Sequence, residues 1–237
     1  AFLAITYAFT WTVQGVLQQA VSGLARQEVS LVAAGRTDAG VHALGQVANA
    51  RTRLELSPEE IRCAVNARLP DDVLVLDVSD VPWTFHARFD ATSRSYVYLM
   101  SRTESPLWRR RRWFVRYPLD LEAMRAAAEA LRGERDFGSF CLTGSEPAHE
   151  RCRLTRVSIE YEDRLGGLIA LRLTADRFLR GMVRSIAGTL VEVGRGKIGP
   201  EDMEGILNAR DRGAAGPTAP PWGLYLEEVR YDQEVAS

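Results

Sequence analysis

The chain has 237 residues, 46% of them hydrophobic and 26% charged, with 30 Lys+Arg against 31 Asp+Glu and a formal charge of −1. At about 150 residues per domain this is one large or two modest globular units, with a core that needs no metal or disulfide staple. The apolar content excludes disorder, no apolar run approaches the ~20 residues of a membrane span, and the near-zero charge taken whole argues against a polyanionic partner.

Short strand and helix patterns alternate along the chain. Phe2–Tyr7 reads as a strand and Thr12–Leu24 as a helix, with Val13, Val16, Leu17, Ala20 and Leu24 on one face. A strand at Val29–Ala33 runs into the polar, glycine-flanked turn Gly35-Arg36-Thr37-Asp38-Ala39-Gly40, and Gln46–Thr52 resumes as a strand. Ser57-Pro58-Glu59-Glu60 predicts a helix start, with Ser as N-cap and Pro at the first position, and that helix ends near Pro70. Val73-Leu74-Val75-Leu76 is a continuous apolar run, as expected of a strand covered on both faces.

After a loop through Pro82, Ser95–Met100 reads as a two-faced strand with Tyr96, Tyr98 and Met100 on one side. Beyond an Arg/Trp-rich segment come a helix at Leu119–Leu131 and a hairpin turning at Gly166-Gly167. The strongest helical stripe is Phe178 to Val193, with Arg180, Gly181, Arg184 and Gly188 along its flank. A short helix from Gly199-Pro200-Glu201-Asp202 and a strand at Leu224–Val229 close the chain. The expected architecture is α+β in two halves, residues 1–104 and 105–237.

The flat total charge hides two basic blocks. Residues 84–116 carry a net +6 and residues 151–184 a net +4, while the other segments are acidic. Lys197 is the only lysine, so 29 of the 30 basic residues are arginine, the better group for bidentate phosphate contact and base stacking. Arg109-Arg110-Arg111-Arg112, bracketed by Trp108 and Trp113, repel one another and contribute nothing to a core; a phosphate backbone would relieve that repulsion. The competing reading of either block is a solvated charged face. Cys63, Cys141 and Cys152 lack CxxC spacing and no signal-peptide pattern is present, which points to a reducing cytoplasm. His42, His86 and His149 fall in no ligand pattern, so no metal is expected.

Asp38, placed in a glycine-bounded turn, is the candidate catalytic carboxylate; an ordinary Asx-turn is the alternative. The string Gly35-Arg36-Thr37-Asp38-Ala39-Gly40-Val41-His42-Ala43, followed by Gly45-Gln46-Val47, resembles the signature of the tRNA pseudouridine synthase A family. Phe85-His86-Ala87-Arg88-Phe89, Arg94-Ser95-Tyr96-Val97-Tyr98, Asp136-Phe137-Gly138-Ser139-Phe140, Phe178-Leu179-Arg180-Gly181-Met182-Val183-Arg184 and Gly223-Leu224-Tyr225-Leu226 resemble further family segments. The resemblance spans residues 29 to 230.

The resemblance implies a pseudouridine synthase fold: two ferredoxin-like halves sharing a mixed, mostly antiparallel sheet, helices on one side, and a cleft between. It implies Asp38 as catalytic aspartate, Tyr96 as active-site tyrosine and Arg184 as partner of the aspartate. It also implies isomerisation of uridine to pseudouridine at positions 38, 39 and 40 of the tRNA anticodon stem-loop, without cofactor or metal, by a homodimer. Arg36, His42, Arg94 and Arg109, Arg110, Arg111 and Arg112 are the expected RNA contacts. Whether Asp38 attacks C1′ or acts at the 2′ position stays open, and Tyr98 rivals Tyr96 as the base at C5. The family's first loop is longer than Tyr7-Ala8-Phe9-Thr10-Trp11-Thr12-Val13, so nothing carries over to residues 8–11. A non-catalytic RNA-binding module and a nucleoside hydrolase are the competing functions.

Overall fold

The computed structural model describes residues 2–9, 14–142 and 151–232. His149 and residues 10–13 of the shortened first segment lie outside the described residues. The elements divide between two compact units, one of residues 1–93 with 226–237, the other of residues 94–225. Both are α+β, and every strand register described is antiparallel except one.

In the first unit, β1 (Phe2–Phe9), β2 (Leu31–Ala33), β3 (His42–Arg51) and β4 (Val73–Asp80) combine with the later part of β10 (Leu224–Tyr231). The strand order is β4-β1-β3-β10, with β2 also paired to β3. Helices α1 (Gln14–Ala25) and α2 (Pro58–Asn66) supply Leu17, Val21, Ile61 and Val65 to the same buried core as Leu3, Ile5 and Tyr7 of β1. The predicted start of α2 is present as a full capping box. Ser57 Oγ accepts from Glu60 N–H at 3.3 Å and Glu60 Oε2 accepts from Ser57 N–H at 2.8 Å, satisfying two donors that the helix start would otherwise strand. The apolar run of β4 is not covered on both faces as expected. Leu74 and Leu76 are 50% and 43% exposed, on the face opposite the one that buries Val73, Val75 and Val78.

In the second unit, β5 (Ala91–Ser101) contributes its residues from Arg94 onward, followed by β6 (Trp113–Phe114), β7 (Gly133–Asp136), β8 (Arg151–Glu162) and β9 (Leu168–Ala175). The order is β5-β9-β8-β7, with β6 lying parallel to β5. Helix α3 (Leu121–Glu129) is capped by Asp120, whose Oδ1 accepts from Glu122 and Ala123 N–H at 2.9 and 3.0 Å. The predicted hairpin turns through the short helix α4 (Arg164–Gly167), where Gly166 and Gly167 take φ of +85° and +72°. Helices α5 (Met182–Gly194) and α6 (Asp202–Ala209) complete the unit.

Two boundaries differ from expectation. Helix α5 begins at Met182 rather than Phe178, because Gly181 stands at φ +70° and the three residues before it are irregular or turn. Phe178 and Leu179 therefore belong to the approach, not to the helical stripe. The compact units part at Ser93/Arg94, inside a strand, and the last strand returns to the first unit. A composition shift at the Arg/Trp segment pointed instead to 104/105, since nothing local marks a division that falls within a regular strand.

Candidate active site

The turn carrying Asp38 is fixed by its neighbours. Ala34 N–H donates to Val47 O at 2.8 Å, and the Gln46 side-chain amide donates to Gly35 O at 3.0 Å, tying the start of the turn to β3. Val41 N–H donates to Asp38 O at 3.1 Å, closing a four-residue turn whose third position, Gly40, has φ +84°. Ala39 keeps negative φ, so this is the type II pattern, which calls for glycine at that third position. Val41, His42 and Ala43 are buried immediately afterwards, anchoring the turn in the core while Asp38 stays half-buried and Arg36 exposed. Chemically this is a carboxylate presented on a rigid, solvent-reachable turn.

The second unit holds the other two predicted catalytic residues. Tyr96 sits on β5 opposite Leu173 of β9, and its ring meets Phe178 edge to face, with centroids 5.0 Å apart and planes at 81°. The Phe178 approach is held in place by Asp176. Its Oδ1 accepts from Arg153 and Arg177 N–H at 2.9 and 2.7 Å, and its carbonyl accepts from Arg94 Nη1 at 2.9 Å. Arg94, expected to touch RNA, thus spends one donor on orienting this segment.

Arg184 lies in the first turn of α5, where its Nε donates to Ala219 O at 2.8 Å and its carbonyl accepts from Ala219 N–H at 3.0 Å. The segment opposite is pinned along its length. Gly216 N–H donates to Thr189 Oγ1 at 2.9 Å, Arg212 Nη2 donates to Thr218 Oγ1 at 2.7 Å, and Tyr98 OH donates to Pro220 O at 2.8 Å. A side chain at Gly188 would drive into the Pro217 carbonyl, and one at Gly223 would meet the Tyr98 ring at 2.7 Å, so both glycines permit the close approach.

Tyr98 is fully buried, and that burial raises its phenol well above the ordinary range, with Arg184 pulling weakly the other way. Its hydroxyl is spent on the Pro220 carbonyl. Tyr98 thus braces the segment opposite Arg184. Phe178 is signalled in the sequence by its place next to the Arg-Gly segment; the carbonyls of Ala219 and Pro220 are backbone acceptors, which carry no sequence signal.

The arginine run divides. Arg109, Arg110 and Arg111 are exposed, with Arg110 at φ +59° and the Arg111 carbonyl accepting from Tyr225 OH at 2.8 Å. Arg112 is only 8% exposed, its guanidinium 3.8 Å from the Trp108 ring centroid, and burial lowers its pKa. This corrects the expectation that all four contribute nothing to a core: Arg112 packs into the fold as a stacked cation. His42, which follows the Asp38 turn at the start of β3, is only 4% exposed.

A family model described as tRNA pseudouridine synthase matches residues 2–90 and 127–232. Curated relatives named tRNA pseudouridine synthase A include one from Caldicellulosiruptor bescii, 40% identical over 222 residues, covering 93% of this chain and 90% of the relative. One from an Exiguobacterium species is 43% identical over 94% of this chain and 89% of its own length. One from Moorella thermoacetica is 44% identical over 93% and 89%. Among solved structures, one described as the crystal structure of a Cbf5-Nop10-Gar1 complex aligns with a TM-score of 0.39 and 14% identity, over 81% of this chain and 45% of that one.

Proposed function

This chain belongs to the tRNA pseudouridine synthase family, and from that premise we propose that it isomerises uridines 38, 39 and 40 in the anticodon stem-loop of tRNA, with Asp38 as the catalytic carboxylate. It is an isomerase acting on tRNA. It works as a homodimer in the cytoplasm. Among the described residues no helix is long and apolar enough to cross a membrane. The observation that carries the assignment is the turn within the Arg-Thr-Asp-Ala-Gly-Val-His string, which presents a half-buried Asp38 and whose backbone is shaped by Gly40 at positive φ and tied to Gln46 through the Gly35 carbonyl.

The chemistry breaks the C1′–N1 bond and forms C1′–C5. The proton leaves C5 and one is gained at N1, so no atom is added or lost and no external co-reactant enters. The target nucleotide is first flipped out, at a cost of roughly a few kcal/mol of unstacking. Asp38 acts at the sugar, either adding to C1′ as uracil departs or taking a proton at the 2′ position. Tyr96, its ring braced by Phe178, packs against the detached uracil and receives the C5 proton. Arg184, its Nε held by the Ala219 carbonyl, is the third member of the proposed catalytic set. Arg36, Arg94, Arg109, Arg110 and Arg111 contact the phosphate backbone and position the RNA without reading sequence. The two halves are each ferredoxin-like.

The test is nucleoside analysis and pseudouridine mapping of unmodified tRNA after incubation with the purified protein. Wild type is expected to give pseudouridine at positions 38–40, and Asp38→Ala none, with tRNA affinity within a few-fold. Pseudouridine formation by Asp38→Ala would sink the role of Asp38. Release of free uracil would favour the hydrolase, and tRNA binding without any product a non-catalytic module.

A further inference from the structure

The first unit carries a second aromatic and cationic site, at the opposite end of β3 from the Asp38 turn. A cleft of about 440 Å³, within the usual range for ligand pockets, has Phe2, Arg51 and Trp83 on one wall and Glu28, Ser30 and His86 among its polar groups. From His42 to Arg51 the strand spans ten residues, about 30 Å at ~3.3 Å each, so the cleft is separate from the Asp38 turn.

Three features make it a built platform. Phe2 and Arg51 are direct cross-strand partners, and Trp83 stacks on Phe2 with centroids 5.6 Å apart and planes within 6°. The Arg51 guanidinium stands 5.4 Å from both ring centroids, yet Trp83 remains 64% exposed. The loop bearing Trp83 is pinned where it matters. Phe85 N–H donates to Pro82 O at 2.9 Å, Ala87 N–H donates to Asn49 Oδ1 at 2.8 Å, and Tyr231 OH donates to Ala87 O at 2.7 Å.

A second aromatic group stands on the same loop. Phe89 is 75% exposed, its ring centroid 4.3 Å from that of His86 with the planes tilted by 34°, and the Arg88 guanidinium lies 5.6 Å from its centroid. His86 Nδ1 accepts from Arg88 and Phe89 N–H at 3.2 Å each, which places the neutral ring's proton on Nε2. Two exposed rings, each with its own arginine, on a loop held rigid from beneath, match the way single-stranded nucleotides are held: base on ring, phosphate on cation.

We propose that this cleft binds an unpaired nucleotide of the tRNA at a distance from the reacting uridine, its base stacked on Trp83 and its phosphate on Arg51 or Arg88. The inference rests on the tRNA reading above. Glu28 and the Ser30 and Thr84 hydroxyls line the cleft and offer hydrogen bonds to a base edge.

The experiment compares wild type with Trp83→Ala, Trp83→Phe and Arg51→Ala. It measures dissociation constants for full-length tRNA and for an isolated anticodon stem-loop, single-turnover rates at saturation, and mass by light scattering. Trp83→Ala should weaken binding of full-length tRNA roughly tenfold, the loss of one base–aromatic stack, with the saturated rate unchanged. Trp83→Phe should retain most of the affinity, and stem-loop binding should not change. If wild type forms pseudouridine in tRNA and all three variants bind tRNA as tightly as it does, the proposal is overturned. Loss of affinity for the stem-loop to the same degree, or a change of mass instead of tRNA affinity, overturns it too, the last marking the patch as a protein interface. Absence of pseudouridine with the wild type would strike the functional reading, not this site.

Discussion

Tyr98→Phe removes one oxygen from the framework behind Arg184. The Tyr98 ring is fully buried, and its hydroxyl donates to Pro220 O at 2.8 Å; deleting it leaves that carbonyl without this donor. An acceptor stripped of its buried partner costs about 1–3 kcal/mol. Taking about 2 kcal/mol, and about 2–4 °C per kcal/mol for a chain of this size, Tm should fall by about 4–8 °C. Pro220 follows Ala219, whose carbonyl holds Arg184 Nε at 2.8 Å, so a loosened segment blurs the aim of that guanidinium. A misplacement worth about 1.4 kcal/mol at the transition state lowers the rate about tenfold. Thermal unfolding by circular dichroism gives the first quantity, and single-turnover pseudouridine formation at saturating tRNA gives the second, with tRNA affinity unchanged. An unaltered Tm would refute the hydrogen-bond argument. A lowered Tm with the wild-type rate would refute the coupling through Ala219 to Arg184.

Replacing Arg109, Arg110 and Arg111 with Ser should weaken tRNA binding and shallow its salt dependence by up to about three phosphate contacts, while Arg112→Ser should instead lower Tm, because its guanidinium is stacked on Trp108. Binding isotherms from low to moderate salt, set beside melting curves, separate the two; an unchanged salt slope in the triple variant would make that run a solvated face. Thiol chemistry divides the cysteines in the same fashion. Cys63 is exposed, Cys141 and Cys152 are buried, and burial pushes the Cys152 thiol up to about 11. Below that pH the protonated form prevails, so iodoacetamide at pH 8 should label one thiol per native chain and three in denaturant, as counted by mass spectrometry; rapid native labelling at Cys152 would contradict its burial.

What the sequence made legible was local chemistry. Ser57, Pro58 and Glu60 announce the start of α2 because capping is decided within four residues, and the Gly166-Gly167 hairpin shows in its alternating arms. The Asp38 turn was legible for the same reason, Gly40 being required at its positive φ. Long-range facts were not. Leu74 and Leu76 look like a doubly covered strand, and only the packing reveals that their face is exposed. Arg112 is indistinguishable by sequence from Arg111 until Trp108 closes over it. Phe178 reads as helical until Gly181 turns the backbone the other way. The acceptors that hold Arg184 and Tyr98 are backbone carbonyls, to which residue identity is silent.

The return of β10 to the first unit sets an order of assembly. Gly45, a few residues past Asp38, approaches the Glu227 carbonyl so closely that an added Cβ would lie 2.8 Å from it, and Tyr231 OH fastens Ala87. Residues 94–225 must all be synthesised before those partners exist. At about 5–20 residues per second that is a wait on the order of ten seconds, during which the sheet bearing the carboxylate lacks its last strand. A chain cut before β10 is therefore expected to leave the first unit without one of its strands.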